Sequence, residues 1–144
     1  MNMNTNDPRN KVPVQDSEAL LRAAEAPSRL ISGAVVRELM DVLSGAIVSE
    51  LAGVKNTRSI YQWLSGERQP EKLDSLRFAL QIVYVMRAVG ETDPTIAAWF
   101  TSVNPRLQDA TPLALLSTSG VADVSVTVMN SVRAFLGLSP TEVA

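Results

Sequence analysis

The spacing of apolar and polar positions divides this 144-residue chain into short amphipathic segments separated by glycine and proline. Residues 17–26 carry apolar side chains at helical spacing, and Pro27 predicts where this first helix ends. A second helix is predicted from about Ser28 or Ser32 to Leu43. Such helices each bury one apolar stripe and need neighbours to cover it. The pattern therefore predicts an all-α fold, in the form of a small helical bundle.

The longest apolar pattern begins at Pro70–Glu71 and reaches about Val89, one residue before Gly90. Apolar side chains lie on two sides of this helix, in one stripe through Leu73, Leu76, Leu80 and Val83 and another through Ile82, Val85 and Val89. A helix that is apolar on two sides lies between two layers of a protein or in a subunit interface. We expect self-association through this helix.

Proline-containing turns divide the second half of the chain. A helix is predicted from Asp93–Pro94 through Phe100, the chain breaks at Asn104–Pro105, and Thr111–Pro112 starts a capped helical turn. The next segment is ambiguous, because its valines alternate as in a strand but also recur at helical spacing, at Val121, Val124, Val128, Val132 and Phe135. We assign it as a helix, because no nearby segment offers a partner strand.

Residues 49–70, SELAGVKNTRSIYQWLSGERQP, have the spacing of two short helices joined by a tight turn. Gly53 supplies the backbone freedom that the turn needs, Asn56 or Thr57 caps the second helix, and Gly66 ends it. The buried stripe of that helix is Ile60, Trp63 and Leu64. This arrangement is typical of a helix-turn-helix, whose second helix reads the major groove of DNA.

The opposite face of the second helix carries Arg58, Gln62 and Ser65, with Tyr61 at its flank. These side chains can donate hydrogen bonds to base edges and phosphates. We therefore predict that DNA is contacted by Lys55, Asn56, Thr57, Arg58, Tyr61, Gln62 and Arg68.

The net charge of −2 hides a local excess of basic residues around this segment. Between residues 55 and 77, five basic residues (Lys55, Arg58, Arg68, Lys72 and Arg77) face three acidic ones (Glu67, Glu71 and Asp74), a surplus of two. Phosphate contacts supply most non-specific affinity for DNA, so one protomer is expected to bind weakly. We expect a homodimer or a larger assembly.

Composition limits the chemistry that this chain could perform. An apolar content of 46% over 144 residues suits one domain or two very small ones. The chain has no Cys and no His, which removes thiol nucleophiles, disulfides and the commonest general base and metal ligand. The hydroxyl cluster at Ser117–Ser119 therefore has no histidine to activate it. We expect no enzymatic activity, no cofactor, no metal site and no small-molecule substrate.

Residues 1–16 are polar, carry Pro8 and Pro13, and are predicted to form a flexible arm. No apolar h-region follows a basic start, and no apolar run approaches the roughly 20 residues that span a bilayer. We expect a cytoplasmic protein without a membrane partner.

Two groups of residues resemble one known family. The ending Gly66–Pro70 after Ile60 and Trp63 resembles the end of an Xre-type helix-turn-helix. The second group is similar to the Xre/MbcA/ParS toxin-binding domain and consists of Trp99–Phe100, Asn104–Pro105 with Leu107, and Thr111–Pro112 with Leu113, Leu115 and Leu116. The resemblance covers about residues 35–136. One departure lies after the last helix, where the family commonly has a glycine-aromatic tail and this chain has Gly137–Leu138.

The resemblance implies an antitoxin that represses its own operon and neutralises a RES-domain toxin, an enzyme that consumes NAD. It implies a DNA-binding and dimerisation region at 17–90 and a toxin-binding region at 91–144, with the protein as a homodimer or a higher hetero-oligomer with its toxin. The residues expected to contact the toxin are Asn104, Pro105, Arg106, Leu107, Pro112, Arg133, Phe135, Leu136 and Leu138. A chain truncated after Asn130 is expected to lose neutralisation and to keep DNA recognition.

Two alternatives remain open on the sequence. The chain could be a stand-alone Xre-type repressor whose C-terminal half only dimerises, or an interaction module that has lost DNA binding. The small basic surplus keeps the second alternative open.

Overall fold

A computed structural model describes residues 17–138, and the predicted arm at 1–16 lies outside them. Within 17–138 the regular structure is helical, apart from one isolated bridge between Asn104 and Ala110. The α-helices are α1 (Ser17–Glu25), α2 (Ser32–Val42), α3 (Gly45–Ala52), α4 (Arg58–Ser65), α5 (Leu73–Ala88), α6 (Asp93–Thr101), α7 (Pro112–Thr118) and α8 (Val121–Phe135). Short 3-10 helices lie at Ala26–Arg29 and Pro105–Leu107. The predicted all-α bundle is confirmed.

Glycine and proline mark most helix ends where the sequence predicts them. Pro27 lies in the 3-10 turn that ends α1, and Gly53 and Gly66 end α3 and α4 with φ of 74° and 80°. α5 begins at Leu73, three residues later than its predicted start at Pro70. The ambiguous valine segment forms α8, which confirms the assignment as a helix.

α5 lies at the centre of the bundle and contacts α1, α2, α3, α6 and α8. Most of both apolar stripes is buried within the chain, with Leu76, Leu80, Ile82 and Val83 fully buried and Leu73 and Val89 half-buried at the two ends. Val85 is only 7% exposed. The expectation that these stripes form a subunit interface is therefore wrong, because helices of the same chain already cover them.

One hydrophobic core extends across the predicted boundary at residues 90–91. Its fully buried members include Val36 and Leu51 in the first region and Phe100, Leu116 and Val132 in the second. α3 packs against α7, and α5 packs against α8. The two predicted regions are thus parts of one packed unit, and a large change in either one is expected to disturb the other.

A two-bond ion pair fixes the start of α6 relative to α5. Arg87 donates from Nε and Nη2 to the two carboxylate oxygens of Asp93, each at 3.0 Å, and this hydrogen bonding lowers the pKa of Asp93. The hydroxyl of Thr92 caps α6 by accepting from the N–H of Thr95. None of the helices between residues 17 and 138 is both long and apolar enough to cross a membrane.

The phenol of Tyr84 on α5 donates a hydrogen bond to the carboxylate of Glu38 on α2. Burial, then the hydrogen bond and the charge of Glu38, raise the pKa of Tyr84 to about 12. A raised pKa means that the folded state holds the proton more tightly than the unfolded state. The resulting stability is complete below about pH 10 and is lost as the pH rises from there towards 12.

We predict that a Tyr61→Phe variant, in which Tyr84 is the one remaining tyrosine, will show tyrosinate absorbance with a midpoint well above 10. Adding Glu38→Gln should lower that midpoint, because it removes the charge that opposes ionisation. The absorbance is measured by ultraviolet titration. A midpoint that is the same with Glu38 and with Gln at this position would contradict the assigned cause.

Candidate functional site

The α3–α4 pair has the predicted form of two short helices joined by a turn. Gly53 at the end of α3 adopts φ of 74° and donates its N–H to the carbonyls of Glu50 and Ser49. The side chain of Ser49 is buried and donates to the carbonyl of Asn56 at 3.4 Å, which joins α3 to the residues before α4. These contacts fix the direction in which α4 leaves the turn.

α4 is held to the core by one side and leaves its other side uncovered. Ile60 and Trp63 are 1% and 4% exposed, and Leu64 packs at the edge of the core. Of the two residues predicted to cap α4, Asn56 makes a capping hydrogen bond, because its Oδ1 accepts the N–H of Arg58 at 3.0 Å. Gly33 on α2 lies so close to α4 that an added Cβ would be 3.1 Å from the carbonyl oxygen of Trp63.

All seven residues predicted to contact DNA are at the surface, and we call this set the α4 face. Six are exposed and Gln62 is half-buried. Tyr61 is 69% exposed, an unusual position for a large aromatic side chain. The N–H of Arg68 donates to the carbonyl of Gln62 at 3.2 Å, so the chain after α4 returns Arg68 to the same region. The structure therefore brings together the predicted members Lys55, Asn56, Thr57, Arg58, Tyr61, Gln62 and Arg68.

Fewer basic residues around this face are free to contact DNA than the sequence predicts. Lys72 Nζ donates to the carbonyls of Ser117 at 2.7 Å and Leu116 at 3.4 Å, and thus caps the end of α7. Arg77 Nη1 donates to the carbonyls of Pro27 at 2.7 Å and Leu30 at 2.5 Å. These two cations bind internal carbonyls, so three outward basic residues remain against three exposed acidic ones, Glu67, Glu71 and Asp74.

We predict that Lys72→Met will lower the free energy of unfolding by about 1 kcal/mol, because it removes a charged donor and keeps the aliphatic stem. Urea denaturation measures the change. Lys55→Met is the matched control, since Lys55 is exposed and has no ion pair within residues 17–138. Equal effects of the two substitutions would show that the contacts of Lys72 with α7 add nothing.

A second feature is a groove of about 460 Å³ between α6, α8 and the loop that joins α6 to α7, which we call the α6–α8 groove. It is lined by Thr95, Ala98, Trp99, Ser102, Val103, Asn104, Pro105, Arg106, Ser131, Ala134 and Phe135. Two of its apolar members stand out from the protein, Val103 at 64% and Phe135 at 46% exposure. None of the lining residues within the described chain is acidic.

The loop beside the groove is fixed by Asn104. Its Oδ1 accepts the N–H of Arg106 at 3.0 Å, and its backbone carbonyl accepts from Leu107 and Asp109. Its N–H donates to Ala110 at 3.0 Å. This set of bonds holds Gln108 and Asp109 at φ of 55° and 63°, a region that few residues other than glycine adopt. Pro105 and Arg106 are therefore presented on a rigid turn.

The groove contains four of the nine residues predicted to contact a partner: Asn104, Pro105, Arg106 and Phe135. Three of the others are corrected by the structure, because Leu107, Pro112 and Leu136 are buried in the core and cannot be reached. Arg133 and Leu138 are half-buried and lie outside the groove lining.

Trp99 carries a buried polar atom without a partner. The residue is 6% exposed, and its ring packs edge-on against Phe100 with centroids 5.1 Å apart. Its Nε1–H is shielded from solvent and has no acceptor within residues 17–138. An unmet buried donor costs about 1–3 kcal/mol. Trp99 also lines the α6–α8 groove, so an occupant that displaces the groups covering Nε1–H would satisfy this donor.

Six residues that line the groove are not among those predicted from the sequence: Thr95, Ala98, Ser102, Val103, Ser131 and Ala134. Most are small, and Thr95 and Ala98 are three residues apart on one side of the predicted helix. A side made of small residues leaves space where large ones would fill it. That spacing is a sequence feature from which the groove could have been predicted.

Comparison of the chain with protein-family models, with curated proteins and with solved structures gives no match. The residues described above are therefore the basis for any assignment of function.

Proposed function

We propose that this protein is an antitoxin that binds operator DNA through α3 and α4 and neutralises a RES-domain toxin through its C-terminal half. The observation that carries the proposal is the α4 face. A short helix is anchored by two buried residues, Ile60 and Trp63, and presents a continuous set of hydrogen-bond donors outward. A helix-turn-helix uses its second helix in this way.

The DNA-binding part of the proposal is supported by the chemistry of the α4 face. Arg58 is exposed and makes no ion pair within the described residues, so its guanidinium is available for the N7 and O6 acceptors of guanine. Gln62, one turn further along, is suited to adenine. The outward basic residues equal the acidic ones in number, which favours binding as a dimer or within a larger complex.

The partner-binding part is supported by the α6–α8 groove. A rigid turn presents Pro105 and Arg106, and Phe135 and Val103 leave apolar surface uncovered next to them. Interfaces of stable complexes place a few aromatic or arginine anchors in well-packed pockets. Blocking an enzyme by covering its active-site cleft needs such a fixed shape and no catalytic group in the inhibitor.

One observation favours a second candidate, a protein-interaction module without DNA binding. Lys72 and Arg77 use their donors on internal carbonyls, so fewer basic residues around the α4 face are free to contact phosphates. No observation within residues 17–138 favours the stand-alone repressor, whose C-terminal half would serve only to dimerise.

Co-expression with the neighbouring gene product tests the proposal. If that gene encodes a NAD-consuming toxin, the chain should relieve growth arrest, preserve cellular NAD and co-purify with the toxin. Retarded migration of a promoter fragment from the same operon tests DNA binding separately. Rescue without promoter binding would favour the interaction module, and promoter binding without rescue would favour the repressor.

A further inference from the structure

We infer that the α6–α8 groove binds a peptide segment of the protein partner in which an apolar side chain lies beside a carboxylate. This inference rests on the proposed function, because it describes the chemistry of the partner at the same surface.

Apolar surface forms the walls and rim of the groove. Ala98, Trp99 and Ala134 line it, and Val103 and Phe135 remain more than two-fifths exposed. Covering these two side chains would remove apolar area from water, which is the main favourable contribution of an interface core. The apolar part of the occupant therefore fits between the end of α6 and the end of α8.

Most polar groups around the groove already have partners in the same chain. Ser102 Oγ donates to the carbonyl of Ala98 at 2.6 Å, and Ser131 Oγ donates to the carbonyl of Val128 at 2.6 Å. The Oδ1 of Asn104 accepts the N–H of Arg106. These groups shape the groove and leave little capacity for recognising a ligand.

Two of the groups that remain are a charged donor and a buried donor. The Nε1–H of Trp99 has no acceptor within the described residues, and the guanidinium of Arg106 is exposed without an ion pair among residues 17–138. The lining has no carboxylate to compete for them. The occupant must therefore supply acceptors, and the charge of Arg106 favours a carboxylate over a neutral carbonyl.

The test uses the full-length chain labelled with nitrogen-15 and follows the indole N–H resonances of its two tryptophans. The probe is the peptide acetyl-Asp-Leu-Glu-amide, with acetyl-Asn-Leu-Gln-amide as the uncharged control. Titration with the acidic peptide should shift the Trp99 resonance and leave that of Trp63, which lies outside the groove, unchanged. Arg106→Gln should weaken binding about fivefold or more, whereas Arg29→Gln, at another exposed arginine, should not.

Several outcomes would overturn the inference. One is an unchanged chemical shift of the Trp99 indole N–H at millimolar acidic peptide. Another is an equal change of that shift with the uncharged peptide. In the sequence a carboxylate also lies beside an apolar residue at Glu142–Val143, seven residues after Phe135. If Glu142→Gln alone shifted the Trp99 resonance, the groove would hold a segment of its own chain. A Trp99 shift that depends on protein concentration would assign the groove to a second copy.

The peptide titration and the co-expression test fail separately. Neutralisation by a chain whose groove does not bind the acidic peptide would contradict only this inference. Peptide binding by a chain that neither rescues cells nor co-purifies with the toxin would contradict the proposed function.

Discussion

The double variant Arg58→Ala, Gln62→Ala is expected to lose affinity for operator DNA by about tenfold or more. Each bidentate contact of an arginine or glutamine with a base contributes roughly 1–3 kcal/mol to discrimination. Arg58 is exposed and Gln62 half-buried on the outer side of α4, so neither substitution removes a core contact. Fluorescence anisotropy with labelled promoter DNA measures the loss, and circular dichroism checks the fold.

A control for this prediction lies on the same chain at a different surface. Arg37→Ala on α2 also removes an exposed arginine, but from a residue outside the α4 face, and should change operator affinity little. The difference between the variants should persist at higher salt, because base contacts depend on salt less than phosphate contacts do. Unchanged binding by the folded double variant would exclude the α4 face as the DNA-reading surface.

Local chain chemistry predicted where the helices lie. Gly53 and Gly66 adopt the left-handed conformation that glycine tolerates best, and Thr111 caps α7 as expected. The helix periodicity of the last valines also outweighed their strand-like alternation, because a strand needs a partner and a helix satisfies its own backbone. The start of α5 was predicted three residues early, since nothing in the local sequence shows that residues 71 and 72 form a turn.

The features that the sequence did not predict depend on contacts between residues that are far apart in the chain. Lys72 counted as a surface cation in the sequence, yet its partner carbonyls lie more than 40 residues later. Likewise, Leu107, Pro112 and Leu136 lie in or beside turns and give no local sign of the helices that bury them. Periodicity shows that a residue faces inward or outward on its own helix, but packing decides what covers it.

The same packing changes which experiment can separate the two proposed activities. Truncation after Asn130 was expected to remove neutralisation and spare DNA recognition. It would also remove Val132 and Leu136, which are 0% and 3% exposed in the shared core. Losing two buried aliphatic side chains costs several kcal/mol, a large share of the stability of a small domain. The truncated chain is therefore expected to lose both activities, and surface substitutions are needed instead.

Phe135→Ser together with Val103→Ser is the surface substitution with the largest expected effect. Both side chains are exposed, both line the α6–α8 groove, and neither belongs to the buried core. If they anchor the toxin, removing a central apolar contact costs about 2 kcal/mol or more, or roughly thirtyfold in affinity for one anchor. Substituting both anchors should therefore abolish the rescue of growth, and cellular NAD should again be lost. Operator binding should stay within about twofold of that of the unmodified chain.

The matched control is Val126→Ser. Val126 is an exposed valine on α8, the helix that carries Phe135, but it does not line the groove. It should neutralise the toxin as well as the unmodified chain does, which separates a groove effect from a loss of helix stability. Urea denaturation of all three chains checks that they are equally folded. Full neutralisation by the Phe135→Ser, Val103→Ser variant would place the toxin-binding surface elsewhere on the molecule, because an interface centred on this groove would lose its two exposed apolar anchors.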